Sequence, residues 1–287
     1  MNTNKAKETI KELSISELRP FKGHPYRVVD DEEMDRLVES IEEHGVMTPI
    51  NVRPIEGGYE VISGHRRIHA AKRAGLTTIP AIEMAMTRDQ AAVALVDSNL
   101  HRERLLPSEK AFAYKLKLEA LARQGMRTDL TSDQVGRKLE TAEIIAENTD
   151  DSKTQVRRYI RLTNLIPPLL RMVDEERIAF TPAVELSYLT QEEQEMLFTE
   201  IGVTLATPSL SQACRLKKLS GEGKLDEETI TAIMAEEKPN QKERVSVPLS
   251  ALKGKVPDSY TDRQLQEYVI KAVDHYHRYL MRQREVR

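Results

Sequence analysis

Tyr59–Gly75 reads YEVISGHRRIHAAKRAG, and this stretch organises the first third of the chain. Tyr59, Val61 and Ile62 are aromatic or β-branched and specify a strand. Ser63-Gly64-His65 supplies a tight turn, and a helix is expected from about Arg66 until Gly75, the residue type favoured just past a helix end. A strand that enters a helix through small residues gathers the first-turn N–H groups at one point, which attracts anions. Arg66 and Arg67 add fixed positive charge and forked donors suited to phosphate oxygens. Ser63, Gly64, His65, Arg66 and Arg67 therefore form a candidate phosphate cradle. A basic strand-to-helix connection with solvated arginines accounts for the same residues.

Outward from this stretch, the pattern divides in two. Before it, residues 1–12 are polar and expected to be loose, Ile15–Pro20 suggests a short strand, and the Gly- and Pro-bearing FKGHPYRVVD of residues 21–30 reads as a loop. Asp30 with Glu33 makes a capping-box pattern ahead of Met34, Leu37, Val38 and Ile41, an apolar face at helical spacing that stops at Gly45. Pro49–Arg53 and Tyr59–Ser63 form a predicted hairpin through Glu56-Gly57-Gly58. Ile79–Met84 is a further strand. Thr87 with Gln90 opens a helix that leads into Asp97-Ser98-Asn99-Leu100-His101-Arg102, and Pro107-Ser108 opens a long helix expected over Glu109–Gln124. No convincing strand follows before about Leu219. The expected organisation is an α+β part at 13–105, an all-helical part at 106–219, a linker at 220–243 with one weak helix near Asp226–Ala235, and a C-terminal segment at 244–287. That last segment has a possible strand at Arg244–Pro248. It also carries a helix capped by Thr261, whose long apolar stripe needs a partner, either the rest of the chain or a second copy.

Composition narrows the function classes. Charged residues make up 31% of the 287 and aromatics only 5%, a balance that favours helices over a β-sandwich. The net charge of −3 gives no global attraction to nucleic acid, so a basic binding surface must be local. The single Cys214 excludes an internal disulfide framework and fits a reducing cytosol. With no apolar run near about 18 residues and no secretory leader, a cytoplasmic protein without a membrane partner is expected.

A second constellation lies at Ala142–Leu165, AEIIAENTDDSKTQVRRYIRLTNL. Two helical segments flank a short polar break, and Ser152 is placed to cap the second. Lys153, Arg157, Arg158 and Arg161 follow with no acidic residue among them. Ser152, Lys153, Thr154, Gln155, Arg157, Arg158 and Arg161 are thus candidate DNA contacts, the amide suited to base edges and the cations to bases or phosphates. A helical hairpin with a solvated basic face is the alternative. Asp150 stands where such turns often carry glycine, though Asp tolerates that backbone better than most residues.

Taken in order, these motifs resemble the ParB family of partition proteins. The loop Gly23-His24-Pro25-Tyr26-Arg27 through Asp30 is the first. Ser63 to Ala71 resembles the family's Gly-Glu-Arg-Arg box, and Asp97–Arg102 its Glu-Asn-Leu-Gln-Arg box. The helix-turn-helix falls where the family has its own, with Ala146, Ser152, Lys153, Val156, Ile160, Arg161 and Leu162 on matching positions. The resemblance spans roughly 13–215, and the DSNLHRE variant is similar to ParB-like proteins of plasmids and integrative elements. It implies a ParB/sulfiredoxin-like N-terminal domain that binds CTP with Mg²⁺ and dimers that close as clamps on double-stranded DNA. It further implies a palindromic target and a partition ATPase as partner. Gly64, Arg66 and Arg67 would hold the triphosphate, with Asn99 and Arg102 beside it and Asn99, with Asp97, near the metal. Two residues depart from the pattern: His65 and Ser98 replace glutamates, with Asp97 one residue early, and a hydroxyl is a poor substitute for a carboxylate on Mg²⁺.

Other functions use the same residues differently. Sulfiredoxin chemistry needs a cysteine in the box that here reads Ser63-Gly64-His65-Arg66, so it is set aside. A kinase or nuclease on this fold would draw on His65, His69, Asp97 or His101, and slow CTP hydrolysis stays open. A transcriptional regulator that keeps the domain for assembly is a third reading.

Overall fold

The computed structural model describes residues 9–100, 105–126, 142–147, 149–236 and 262–285. Two compact units divide the chain, residues 1–236 and 237–287.

The first unit begins with a five-stranded mixed sheet of order β1-β5-β3-β4-β2, formed by β1 (Ile10–Ser14), β2 (Leu18–Pro20), β3 (Ile50–Ile55), β4 (Gly58–Ser63) and β5 (Thr78–Glu83). β1 starts inside the stretch expected to be loose. It pairs antiparallel with β5, Leu13 opposite Ile79, so a partner far along the chain orders a segment whose own pattern is weak. The strand expected at Ile15–Pro20 is broken: Ser14 caps a 3-10 turn at Ile15–Glu17, and only Leu18–Pro20 pairs, parallel to β4. β3 and β4 form the predicted hairpin, with Gly57 and Gly58 both at positive φ.

Alternation in β4 sends Val61 and Ile62 to opposite faces. Val61 packs with Ile50, Val52, Ile79 and with Ile68 and Ala71 of α2 (His65–Arg73). Ile62 packs with Phe21, Tyr26 and Leu95, the last from α3 (Arg88–Leu100). The helix α1 (Glu32–His44) lies against α2, with Met34, Val38 and Ile41 on Ala70. Its cap is Asp31, which accepts the Met34 N–H at 2.8 Å, one residue later than the expected Asp30. Asp30 is drawn away by His69 and Arg73, each at 2.8 Å. At α3 the Thr87–Gln90 box is formed as expected, with both reciprocal bonds present.

α4 (Pro107–Met126) begins on its proline, the residue whose missing N–H costs nothing at that position, and it runs past the expected end at Gln124. After it come α5 (residues 142–147), α6 (Lys153–Leu162), α7 (Pro167–Asp174), α8 (Phe180–Leu186), α9 (Gln191–Thr204), α10 (Leu210–Gly221) and α11 (Glu227–Ala235). One core joins α6 to α11, including Leu162, Leu169, Leu186, Leu197 and Leu216. Ile230, Ile233 and Met234 of α11 belong to it, and Gln212 donates to the Ile233 carbonyl at 2.7 Å. The weak helix expected within the linker is therefore packed through three buried apolar side chains.

In the second unit the described element is α12 (Asp262–Glu285), on which Ile270, Val273 and Tyr276 are exposed. The strand expected at Arg244–Pro248 and the cap at Thr261 lie outside the described residues, as do His101 and Arg102. Among the described residues no helix is long and apolar enough to cross a membrane.

Candidate functional site

β4 passes into α2 through the single residue Gly64, which adopts φ 101° and brings no side-chain cap to the helix start. Left-handed backbone is accessible to glycine without strain, and it lets the chain reverse within one residue. The start of α2 then borders a cavity of about 280 Å³ lined by Ser63, Gly64, His65, Arg66 and Arg67. Ser98 and Asn99 from the end of α3 line it as well, and His24, Tyr26, Arg27 and Val28 close the other side. All five residues of the candidate cradle thus meet, together with Asn99 from the third motif. Arg27, Arg66 and Arg67 make the lining strongly cationic, and among the described residues no carboxylate belongs to it.

The two central arginines differ in what holds them. Arg67 donates through Nη1 to the carbonyls of Thr48 and Pro49, at 2.5 and 2.6 Å, and burial lowers its pKa. It fastens α2 to the entry of β3. Arg66 instead lies 3.2 Å from Asp31 and 3.5 Å from Glu33, which are partly and largely solvated respectively. Exposed pairs of this kind are weak, so Arg66 is able to leave for a stronger anion. His65 lies against His24 with the rings tilted by 43° and their centroids 3.8 Å apart, and His24 is itself positioned by a 2.8 Å bond to the Tyr26 carbonyl.

The residues expected near a metal separate. Asn99 lines the cavity, its Nδ2 donating inward to Leu95 O at 2.8 Å. Asp97 does not line it: its carboxylate is 2.5 Å from Nζ of Lys117, a side chain 3% exposed on α4. With Asp97 turned to a buried cation, the described residues of the cavity offer Mg²⁺ no carboxylate. A metal this small usually keeps waters and takes one or two carboxylates besides phosphate. The described lining suits a polyphosphate and does not suit a metal held by these residues. Of the other candidates for catalysis, His69 pairs with Asp30 at 2.8 Å outside the cavity.

The second site is built on α4. Ile145 of α5 and Val156 of α6 are buried against Tyr114. In the turn between them, Asp151 accepts the Tyr114 hydroxyl at 2.5 Å and pairs with Lys110 at 2.6 Å. Burial, and then Asp151, raise the Tyr114 pKa, so the phenol stays a proton donor. These bonds secure a turn that lacks glycine. Ser152 caps α6 by accepting the Gln155 N–H at 3.2 Å.

Of the seven candidate DNA contacts, Ser152, Thr154 and Arg157 are exposed, and Gln155 is half-buried. Lys153 pairs with Glu143 of α5. Arg158 donates to the Thr181 hydroxyl at 2.8 Å and stacks on Phe180. Arg161 donates to the Ser187 carbonyl at 3.1 Å and lies over Tyr188. The basic run thus splits between a solvent-facing part and a part that holds α8.

Sequence reasoning did not assign His24, Tyr26, Arg27, Val28 or Ser98 to the cavity. The first motif contained four of them, but a Gly- and Pro-bearing loop carries no periodicity that shows which way its side chains turn.

Comparison with known proteins agrees with this architecture. Residues 1–100 match the ParB N-terminal domain. Stage 0 sporulation protein J of Bacillus subtilis is 33% identical over 170 residues, 59% of this chain and 54% of that protein. The probable chromosome-partitioning protein ParB of Vibrio cholerae is 34% identical over 191 residues, 66% of this chain and 59% of that protein. The matched stretch therefore spans between half and three fifths of these relatives. A C-terminally truncated ParB of Caulobacter crescentus, solved with CTP-γ-S, is 26% identical and covers 67% of this chain and 98% of its own. Its TM-score of 0.31 is too low to carry geometry between the two. Over its first 100 residues the chain is thus similar to the ParB family.

Proposed function

We propose that this chain is a sequence-specific DNA-binding protein of the partition type whose N-terminal cavity binds the triphosphate of CTP. The observation that carries the CTP reading is the meeting of the Gly64-led start of α2 with Arg27, Arg66 and Arg67 around one 280 Å³ cavity. A helix start and forked cations, with no carboxylate among the described lining residues, are what a polyphosphate needs. The relatives named as chromosome-partitioning proteins support the partition role. A capped recognition helix with Thr154 and Arg157 exposed supports insertion into the major groove, with Gln155 at its edge. The protein then works in the cytoplasm on nucleoid or plasmid DNA, as a dimer on a palindromic site and with a partition ATPase as partner.

When bound, CTP supplies the negative charge that Arg66 and the α2 amides meet. Arg67 keeps α2 in place for it, and Asn99 offers a polar contact from α3. Mg²⁺ would be held chiefly by the phosphates and water, so calorimetry is to be run with CTP, with and without Mg²⁺. Binding in both conditions, weakened by Arg66→Ala, is expected; no heat in either overturns the CTP reading. Anisotropy of the full chain on genomic duplexes tests the DNA-binding reading. Specific binding that falls steeply with salt is expected, and salt-insensitive or absent binding overturns it.

A further inference from the structure

Arg27 lines the cavity, yet its guanidinium is held from elsewhere. Its Nη2 lies 3.5 Å from Oδ2 of Asp174, the last residue of α7. The Asp174 carboxylate is 5% exposed, whereas the Arg27 side chain is 57% exposed. Asp174 has firmer partners: its Oδ1 accepts the Ser108 N–H at 2.9 Å and its Oδ2 the Ser108 hydroxyl at 2.6 Å. The backbone of Arg27 is fixed separately, its N–H donating to Glu109 Oε1 at 2.7 Å. One long contact at the tip of a flexible side chain, on a backbone that is pinned, leaves the guanidinium able to swing between two anions without moving the loop.

We infer that Asp174 is a positioning residue of the cavity, competing with a bound phosphate for Arg27. The inference rests on the reading of the cavity as a triphosphate site. A carboxylate already bonded to Ser108 keeps its place when Arg27 leaves, but it is then a buried charge with less compensation. Anion binding is opposed by that loss. By linkage, occupancy of the cavity weakens the tie between the Arg27 loop and α7 by the same factor. The site thereby senses whether α7 is docked, through one side chain shared by the sheet domain and the helical domain.

Titration calorimetry of the full chain at low ionic strength, with CTP and with inorganic tripolyphosphate as probes, tests this. Asp174→Asn keeps an acceptor for the Ser108 N–H and removes the competing charge. It is expected to bind both probes roughly two- to fivefold tighter, the range of a partly exposed ion pair. Asp174→Glu, which keeps the charge, is expected to bind as the wild type does, a rescue that a purely structural role would not give. Arg27→Ala is expected to weaken binding and to abolish the effect of Asp174→Asn in the double variant. Equal affinity of Asp174→Asn and wild type, or the same gain in the Arg27→Ala background, overturns the competition and leaves the triphosphate reading intact. Failure of the wild type to bind either probe overturns both.

Discussion

A Cβ added to Gly64 would stand 2.5 Å from Cγ2 of Ile50 and 3.1 Å from its Cβ. Ile50 is fully buried in β3, so it has no room to retreat. The φ of 101° is also one that a side chain rarely adopts. Gly64→Ala is therefore expected to destabilise the fold by on the order of 1–3 kcal/mol from backbone strain, with the contact adding to it. Urea denaturation followed by circular dichroism measures the loss, and a variant as stable as the wild type would contradict the proximity to Ile50.

Arg66 and Arg67 are neighbours in sequence with separate duties. Arg67→Ala leaves the Thr48 and Pro49 carbonyls without their donor and is expected to cost about 1–3 kcal/mol of stability. Arg66→Ala breaks only solvated pairs with Asp31 and Glu33 and is expected to leave the melting transition almost unchanged while weakening CTP binding. Calorimetry and denaturation on both variants separate the roles, and a reversed order of the two stability losses would refute the assignment.

The basic run of α6 makes a parallel distinction. Arg157 is exposed, so Arg157→Ala is expected to weaken DNA binding and to reduce the slope of log affinity against log salt by about 1. Arg158→Ala removes the bond to Thr181 and the stacking on Phe180, and its main effect is expected on stability. Anisotropy at several salt concentrations, alongside thermal melts, reads both.

Acid should loosen the α1–α2 contact. Asp30 is held below its ordinary 3.8 first by the hydrogen bond from His69 and then by Arg73. A carboxylate lowered in the folded state contributes stability that is present above pH 3.8 and is lost as pH falls through the lower folded value. Asp31, lowered mainly by the Met34 N–H, has the same sign. Asp30→Asn is expected to flatten the stability profile below about pH 4. An unchanged acid limb in that variant would show that the pair contributes nothing to it.

Much of the cavity was legible in residues 59–75 because strand, turn and helix are local patterns. β-branched alternation, a glycine at the turn and a glycine past the helix lie within a few residues of what they control. The helix-turn-helix was legible for the same reason, since Ser152 caps amides three residues away and Val156 repeats at helical spacing. Tertiary structure decided what depends on partners distant in the chain. β1 is ordered by β5, Asp97 is turned to Lys117, and α11 is packed into the helical core. Arg67 is fixed by Thr48 and Pro49, and Arg27 is shared with Asp174. Sequence determines which side chains can carry charge and where the backbone turns. Which charge is left to meet a ligand is settled only when folding brings competing carboxylates and carbonyls within hydrogen-bond reach.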